Sequence, residues 1–167
     1  MYPNQRDKYL FDIRDYKIER VIGRGGCAIV YEVKKKKTNE LFVIKTNYIQ
    51  NKRFISREVD ILIFAHHPTI IRFNGFSYKD FNNEENITIL MDYMKKGSLA
   101  DFIELESTSN TPNEYDNTKK QIILIGIARG MMLLHKYHII HRDLKPENIL
   151  LDENLLPHIS DFGLSKF

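Results

Sequence analysis

Residues 119–135 restrict the fold more than any other part of the chain. Ile122, Ile123, Leu124, Ile125, Ile127, Ala128, Met131, Met132, Leu133 and Leu134 fall in one proline-free stretch. Placed at a helical period, they cover most of the circumference, and a helix apolar on most sides needs neighbours on several of them. Only short strand-like segments, 149–151 and 158–160, follow it. The expectation is a long helix that the rest of the chain covers incompletely.

Upstream the pattern is different. Ile18, Val21, the run 29–33, the run 41–44 and the run 87–90 supply β-branched and aliphatic residues between glycines, lysines and asparagines, which reads as strands. One helix interrupts them: Phe54, Val59, Ile61, Leu62 and Phe64 have helical spacing, and His67 before Pro68 ends the run. A shorter helix begins at Ser98, a plausible cap, and carries Leu99, Phe102 and Ile103. Residues 107–117 are rich in turn formers and predict a polar loop. The fold class expected is α+β, with strands and one helix first and helices afterwards.

The chain has 167 residues, 43% hydrophobic and 28% charged, enough for one core-bearing domain. No apolar run approaches the ~20 residues that span a bilayer, and the polar start is unlike a signal peptide. A single cysteine, Cys27, cannot form an internal disulfide. These features predict a cytoplasmic chain without membrane association, in which the acceptor-like Asn86, Ile87 and Thr88 carry no glycan. A net charge of +3 is too mild to point to nucleic acid. Lys34, Lys35, Lys36 and Lys37 read as a solvated hairpin tip.

Three motifs carry chemistry. His141, Arg142, Asp143, Leu144, Lys145, Pro146, Glu147 and Asn148 are followed by Asp161, Phe162 and Gly163. Far upstream stand Gly23, Gly25, Gly26, Cys27, Ala28 and Val30, where small residues let backbone amides approach a phosphate. A dinucleotide-binding loop would lead into a helix, but a strand-like run follows here, so a hairpin is expected. Between these motifs lie Phe42, Val43, Ile44 and Lys45, then Arg57, Glu58, Val59, Asp60, Ile61 and Leu62.

Together these residues resemble the eukaryotic protein kinase domain, and the 141–148 segment matches its catalytic loop without a departure. The resemblance covers 16–167. It implies an N-terminal extension at 1–15, a small antiparallel-sheet lobe with one helix at 16–91, a hinge at 92–97, and the first part of a mainly helical large lobe at 98–167. By this likeness the sequence stops where an activation loop would begin, as a truncated domain. Lys145, Pro146 and Glu147 resemble serine/threonine kinases, and the short connections resemble their tyrosine-kinase-like branch.

The roles follow from the resemblance. Asp143 would take or orient the substrate hydroxyl proton, Lys145 would sit against the γ-phosphate, and Asn148 with Asp161 would hold Mg2+. Lys45 would pair with the α- and β-phosphates and be held by Glu58. Ile22, Gly23, Gly25, Ala28 and Val30 would cover the nucleotide, with Ala28 standing where the family has a third glycine. Cys27 sits at a loop tip where the family usually has phenylalanine, and reads as a passive small residue. Val43 and Leu150 would join Val30 around adenine, Asp92 and Met94 would meet its edge through backbone, and Met91 would close the back of the pocket. His141 would pack on Phe162, in a stack continuing through Leu62 and Phe73; its recurrence with His135 and His138 is not read as a transition-metal site.

The activity implied is ATP-dependent phosphorylation of serine or threonine in a protein substrate. Two alternatives remain at this stage: a kinase fragment that binds nucleotide, or a partner protein over its uncovered helix, without transferring phosphate, and an unstable remnant.

Overall fold

A computed structural model describes residues 6–48 and 52–167 and has the expected α+β character. The chain forms two compact units, one from residues up to Val59 with Phe73–Tyr93, the other from Asp60–Arg72 with Met94–Phe167.

The first unit is an antiparallel sheet of β1 (Tyr16–Arg24), β2 (Ala28–Lys35), β3 (Leu41–Asn47), β4 (Phe73–Ser77) and β5 (Thr88–Asp92), ordered β1-β2-β3-β5-β4. The turn between β2 and β3 holds Asn39 at φ 61°, a left-handed conformation that asparagine tolerates. Lys36 and Lys37 are exposed on it, while Lys34 and Lys35 still belong to β2. Side chains alternate across a strand. Ile44 therefore joins Ile13, Tyr16, Val33 and Leu90 in one core cluster, and Val43 and Lys45 point to the opposite face. The pattern does not reveal β4, because Phe73, Asn74, Gly75, Phe76 and Ser77 include no β-branched residue.

Helix α1 (Lys52–Phe64) starts in this unit and ends three residues before His67, earlier than its Pro68 stop predicts. The chain leaves the helix through Ala65 and a tight turn in which the His66 N–H donates to the Phe64 carbonyl at 2.9 Å. Val59, Ile61 and Leu62 are buried as their spacing predicts; Phe64 is half exposed, and the Phe54 side chain lies outside the described residues.

In the second unit, α2 (Leu99–Ser107) opens on a complete capping box. The Ser98 hydroxyl accepts from the Asp101 N–H and the Asp101 carboxylate accepts from the Ser98 N–H. Gly97 enters this cap at φ 78°, and a Cβ there would lie 2.6 Å from Asp101 Oδ2. Helix α3 (Asn117–Lys136) is capped by Asp116, whose carboxylate accepts from the Lys119 N–H at 2.7 Å. Strands β6 (Ile149–Leu151) and β7 (Pro157–Ile159) form a hairpin. β7 begins and ends one residue earlier than predicted, since the Ser160 N–H leaves the ladder to donate to the Asn148 carbonyl at 2.8 Å.

The segment between α2 and α3 is less polar in role than its composition suggests. Tyr115 is buried against Phe102, with ring centroids 4.9 Å apart, in a cluster with Ile123, Leu151 and Leu155. Helix α3 buries one stripe, Ile123, Gly126, Gly130 and Leu134. The two glycines let its backbone come close: a Cβ on Gly126 would lie 2.5 Å from the Pro157 ring, and one on Gly130 2.7 Å from Ile159. Across the helix, Leu124 (65%), Ile125 (54%) and Met132 (68%) stay exposed. The surplus of apolar residues on this helix is thus a real uncovered face among the described residues.

Candidate active site

In the first unit, β1 and β2 join through the tight turn at Gly25, whose N–H donates to the Ala28 carbonyl at 2.9 Å. The register sets Gly23 against Val30, so this is a hairpin and not a strand-to-helix turn. Cys27 is an exposed free thiol, and its carbonyl accepts from the Tyr48 N–H at 2.9 Å, which ties the loop tip to the end of β3. Ile22 and Gly25 are exposed; Gly23, Ala28 and Val30 are partly buried.

Strand register brings Val30, Val43, Lys45 and Met91 onto one face, while Asp92, opposite Phe42, falls on the other. Val30 lies opposite Lys45, and Val43 lies opposite Met91. Lys45 Nζ donates to Glu58 Oε1 at 2.8 Å, with side chains only 14% and 4% exposed. Arg57 and Asp60 stand beside Glu58 in the sequence, and the geometry singles out Glu58 as the acid on Lys45. The Asp92 carboxylate accepts from Asn74 Nδ2 at 2.6 Å, an anchor between β5 and β4 that the sequence did not suggest.

The second unit holds the other cluster. Asp143 Oδ2 accepts from Lys145 Nζ at 2.9 Å and from Asn148 Nδ2 at 2.9 Å, and the same amide donates to the Asp143 carbonyl at 2.8 Å. The Lys145 ammonium is the chief cause holding the Asp143 carboxyl below its usual value, with Asn148 adding to it against the opposing effect of burial. Lys145 is pushed up in turn, mainly by Asp143. Near neutral pH the aspartate is thus an anionic acceptor beside a fixed cation.

The loop carrying these groups is anchored by His141. Its Nε2–H donates to the Ser160 carbonyl at 3.0 Å, and its Nδ1 accepts from the Asp143 N–H at 3.3 Å, an arrangement that requires the neutral ring. Burial lowers its pKa from the ordinary histidine value, against the opposing effect of the Ser160 bond. The His141 and Phe162 rings are 5.0 Å apart, as the resemblance implies, and Leu62 and Phe73 are each buried in their own unit. His135 and His138 are exposed. Ser165 Oγ donates to the His141 carbonyl at 3.0 Å, and Ile140 and Lys166 bridge in both directions, so segment 160–166 clamps the loop. Ser160 and Ser165 escaped the sequence reading: two small polar residues near a motif carry no signal when their partners are distant in the chain.

Asp161 has φ 59° and Arg142 φ 70°, left-handed conformations at the two bends of the site. Asn148 spends both amide hydrogens on Asp143, which leaves its side-chain oxygen without a donor to accept from among these bonds. That oxygen and the Asp161 carboxylate are hard oxygen donors of the type Mg2+ takes while keeping waters. Leu150 pairs with Ser98 across an antiparallel bridge, and Met94 begins the second unit's later segment; both are partly buried.

A fold of this kind, with a glycine hairpin, an ion-paired strand lysine and an Asp–Lys–Asn loop on a buried histidine, is that of a eukaryotic protein kinase domain. The protein kinase domain family matches residues 16–167, and the chain belongs to it. It is 35% identical over 152 residues to the leucine-rich repeat receptor-like protein kinase PEPR1 of Arabidopsis thaliana, covering 87% of this chain and 13% of that protein. It is 36% identical over 162 residues to samkB of Dictyostelium discoideum, named a probable serine/threonine-protein kinase, covering 93% of this chain and 26% of that protein. Serine/threonine-protein kinase pakG of the same organism is 32% identical over 148 residues, covering 89% of this chain and 12% of that protein. The chain thus spans a minor part of the length of these relatives. Among the described residues no helix is long and apolar enough to cross a membrane.

Proposed function

We propose that this chain binds magnesium–ATP and that its residues are arranged to transfer the γ-phosphoryl group to a serine or threonine hydroxyl of a protein. The observation that carries this reading is the Asp143–Lys145–Asn148 cluster fixed on a neutral, buried His141. Asp143 would accept the hydroxyl proton, and Lys145 would turn its charge from Asp143 to the phosphoryl oxygens. Asn148 and Asp161 would hold Mg2+, which when bound neutralises charge on the phosphates. In the first unit, Lys45 would neutralise the α- and β-phosphates while Glu58 holds it extended. Ile22, Gly23, Gly25, Ala28, Val30, Val43, Met91, Asp92, Met94 and Leu150 would form the nucleotide contacts, with 92–97 as hinge. Dependence on ATP and an exposed thiol at Cys27 suit a cytoplasmic setting.

A second reading, nucleotide binding without transfer, is favoured by the uncovered α3 face. One experiment separates the two: incorporation of labelled γ-phosphate into a generic protein substrate by the purified chain and its Asp143→Asn variant, with a magnesium–ATP thermal shift in parallel. Incorporation above the variant supports transfer. A thermal shift without incorporation supports binding alone, and the absence of both refutes the two readings together.

A further inference from the structure

We propose that residues 6–15 work as a strap along β4 that sets the position of helix α1, with Arg6 a positioning residue for the Lys45–Glu58 pair. The inference rests on the nucleotide reading above for its functional half.

This segment precedes the family match at residue 16, yet it is built into the first unit. Leu10 forms a parallel bridge with Phe76, and the Phe11 N–H donates to the Phe76 carbonyl at 3.1 Å, so the strap adds backbone pairing to the β4 edge. Tyr9 packs on Phe73 with centroids 5.6 Å apart, Phe11 packs edge-on to Tyr16 at 5.5 Å, and Ile13 enters the core cluster. β4 is adapted to it: Gly75 has φ 154°, and a Cβ there would lie 2.5 Å from the Tyr9 carbonyl oxygen. A side chain at 75 would displace the strap.

Arg6 lies at the end of this segment and reaches helix α1, where its Nη1 donates to Ser56 Oγ at 2.6 Å. Ser56 stands two residues before Glu58. Arg6 and Ser56 line a half-open pocket of about 380 Å3 together with Val59, Phe76 and Ile87, whose side chains are buried. Apolar burial is non-directional, whereas a hydrogen bond from a charged donor fixes orientation as well, so the Arg6–Ser56 bond adds a definite position to the packing of Val59. A helix held at Ser56 by a segment anchored on β4 presents Glu58 to Lys45 in a set geometry.

The test uses the full chain with Arg6→Ala, Ser56→Ala, Arg6→Lys and Lys45→Met. Hydrogen exchange over Lys52–Phe64 should rise in Arg6→Ala and Ser56→Ala. Affinity for magnesium–ATP should fall roughly fivefold in Ser56→Ala, the size expected for one such bond, and at least as much in Arg6→Ala, while affinity for adenosine, which lacks phosphates, stays unchanged. Arg6→Lys should restore most of the ATP affinity. Unchanged exchange in α1, or equal losses for ATP and adenosine, overturns the proposal. If Lys45→Met also leaves ATP affinity unaltered, the nucleotide reading falls, and the exchange result alone decides whether the strap positions the helix.

Discussion

Replacing Lys45 by methionine should destabilise the chain by about 2–4 kcal/mol, because it strands a buried carboxylate. Nζ and Oε1 are 2.8 Å apart, and the two side chains are 14% and 4% exposed. At an effective dielectric near 20 the gross attraction at that separation is roughly 6 kcal/mol, and the desolvation of both ions opposes it. Breaking a fully buried pair typically costs ~3–5 kcal/mol, and the solvent reaching Lys45 trims that range. Replacing both partners, Lys45→Met with Glu58→Leu, removes the stranded charge and should recover most of the loss. Urea unfolding followed by circular dichroism, with the slope held common, reads all four corners of the cycle. If Lys45→Met lies within about 0.5 kcal/mol of the parent, or the double variant is as unstable as the two single losses added, the pair is not the buried unit described. Because the loss is one of stability, the nucleotide experiments with Lys45→Met belong well below its unfolding transition.

Gly126→Ala would gain about 1 kcal/mol of helix propensity, yet a Cβ 2.5 Å from the rigid Pro157 ring should reverse the sign, for a net loss of ~1–2 kcal/mol in the same unfolding assay. Ser98→Ala removes the hydroxyl half of the α2 capping box and should cost about 1 kcal/mol; an unchanged urea midpoint would show the cap to be idle. His141 has a folded-state pKa lowered by burial, so as pH falls the unfolded chain takes up the proton first. Its contribution is therefore fully present above the unfolded value near 6.5 and is lost as pH falls from there toward the folded value. Unfolding midpoints from pH 8 to 5 should decline in the parent and decline less in His141→Phe.

Much of this architecture is written in local pattern. β1, β2, β3 and β5 follow from alternating aliphatics, and α2 and α3 from helical spacing, with Ser98 readable as the cap of α2; the Asp116 cap of α3 lay hidden in the turn-rich 107–117 segment. Two side-chain clusters were equally readable, because each sits in short motifs: Asp143, Lys145 and Asn148 meet within one loop, and Lys45 finds Glu58 on the next helix. What else stayed hidden depends on partners far along the chain. β4 exists because Phe73 and Phe76 pair with β5, not because 73–77 favours a strand. Gly126 and Gly130 look like flaws in a helix until Pro157, Ile159 and Thr69 come against them. Ser160 and Ser165 act through His141, and nothing at either position announces it.

The register of β3 also bears on the order in which the first unit assembles. On one side Lys45 faces Val30, one hairpin back; on the other it faces Ile89, beyond the whole of α1 and β4. Local hairpins close quickly, whereas pairing across such a separation must first meet the entropy of a long loop. The lysine thus lies on the seam between early and late structure. While β5 is undocked, one edge of β3 stands open, and the chain is then most exposed to pairing with a second copy of itself. Conditions that slow the docking of β5 should accordingly lower the yield of refolded protein more steeply as concentration rises.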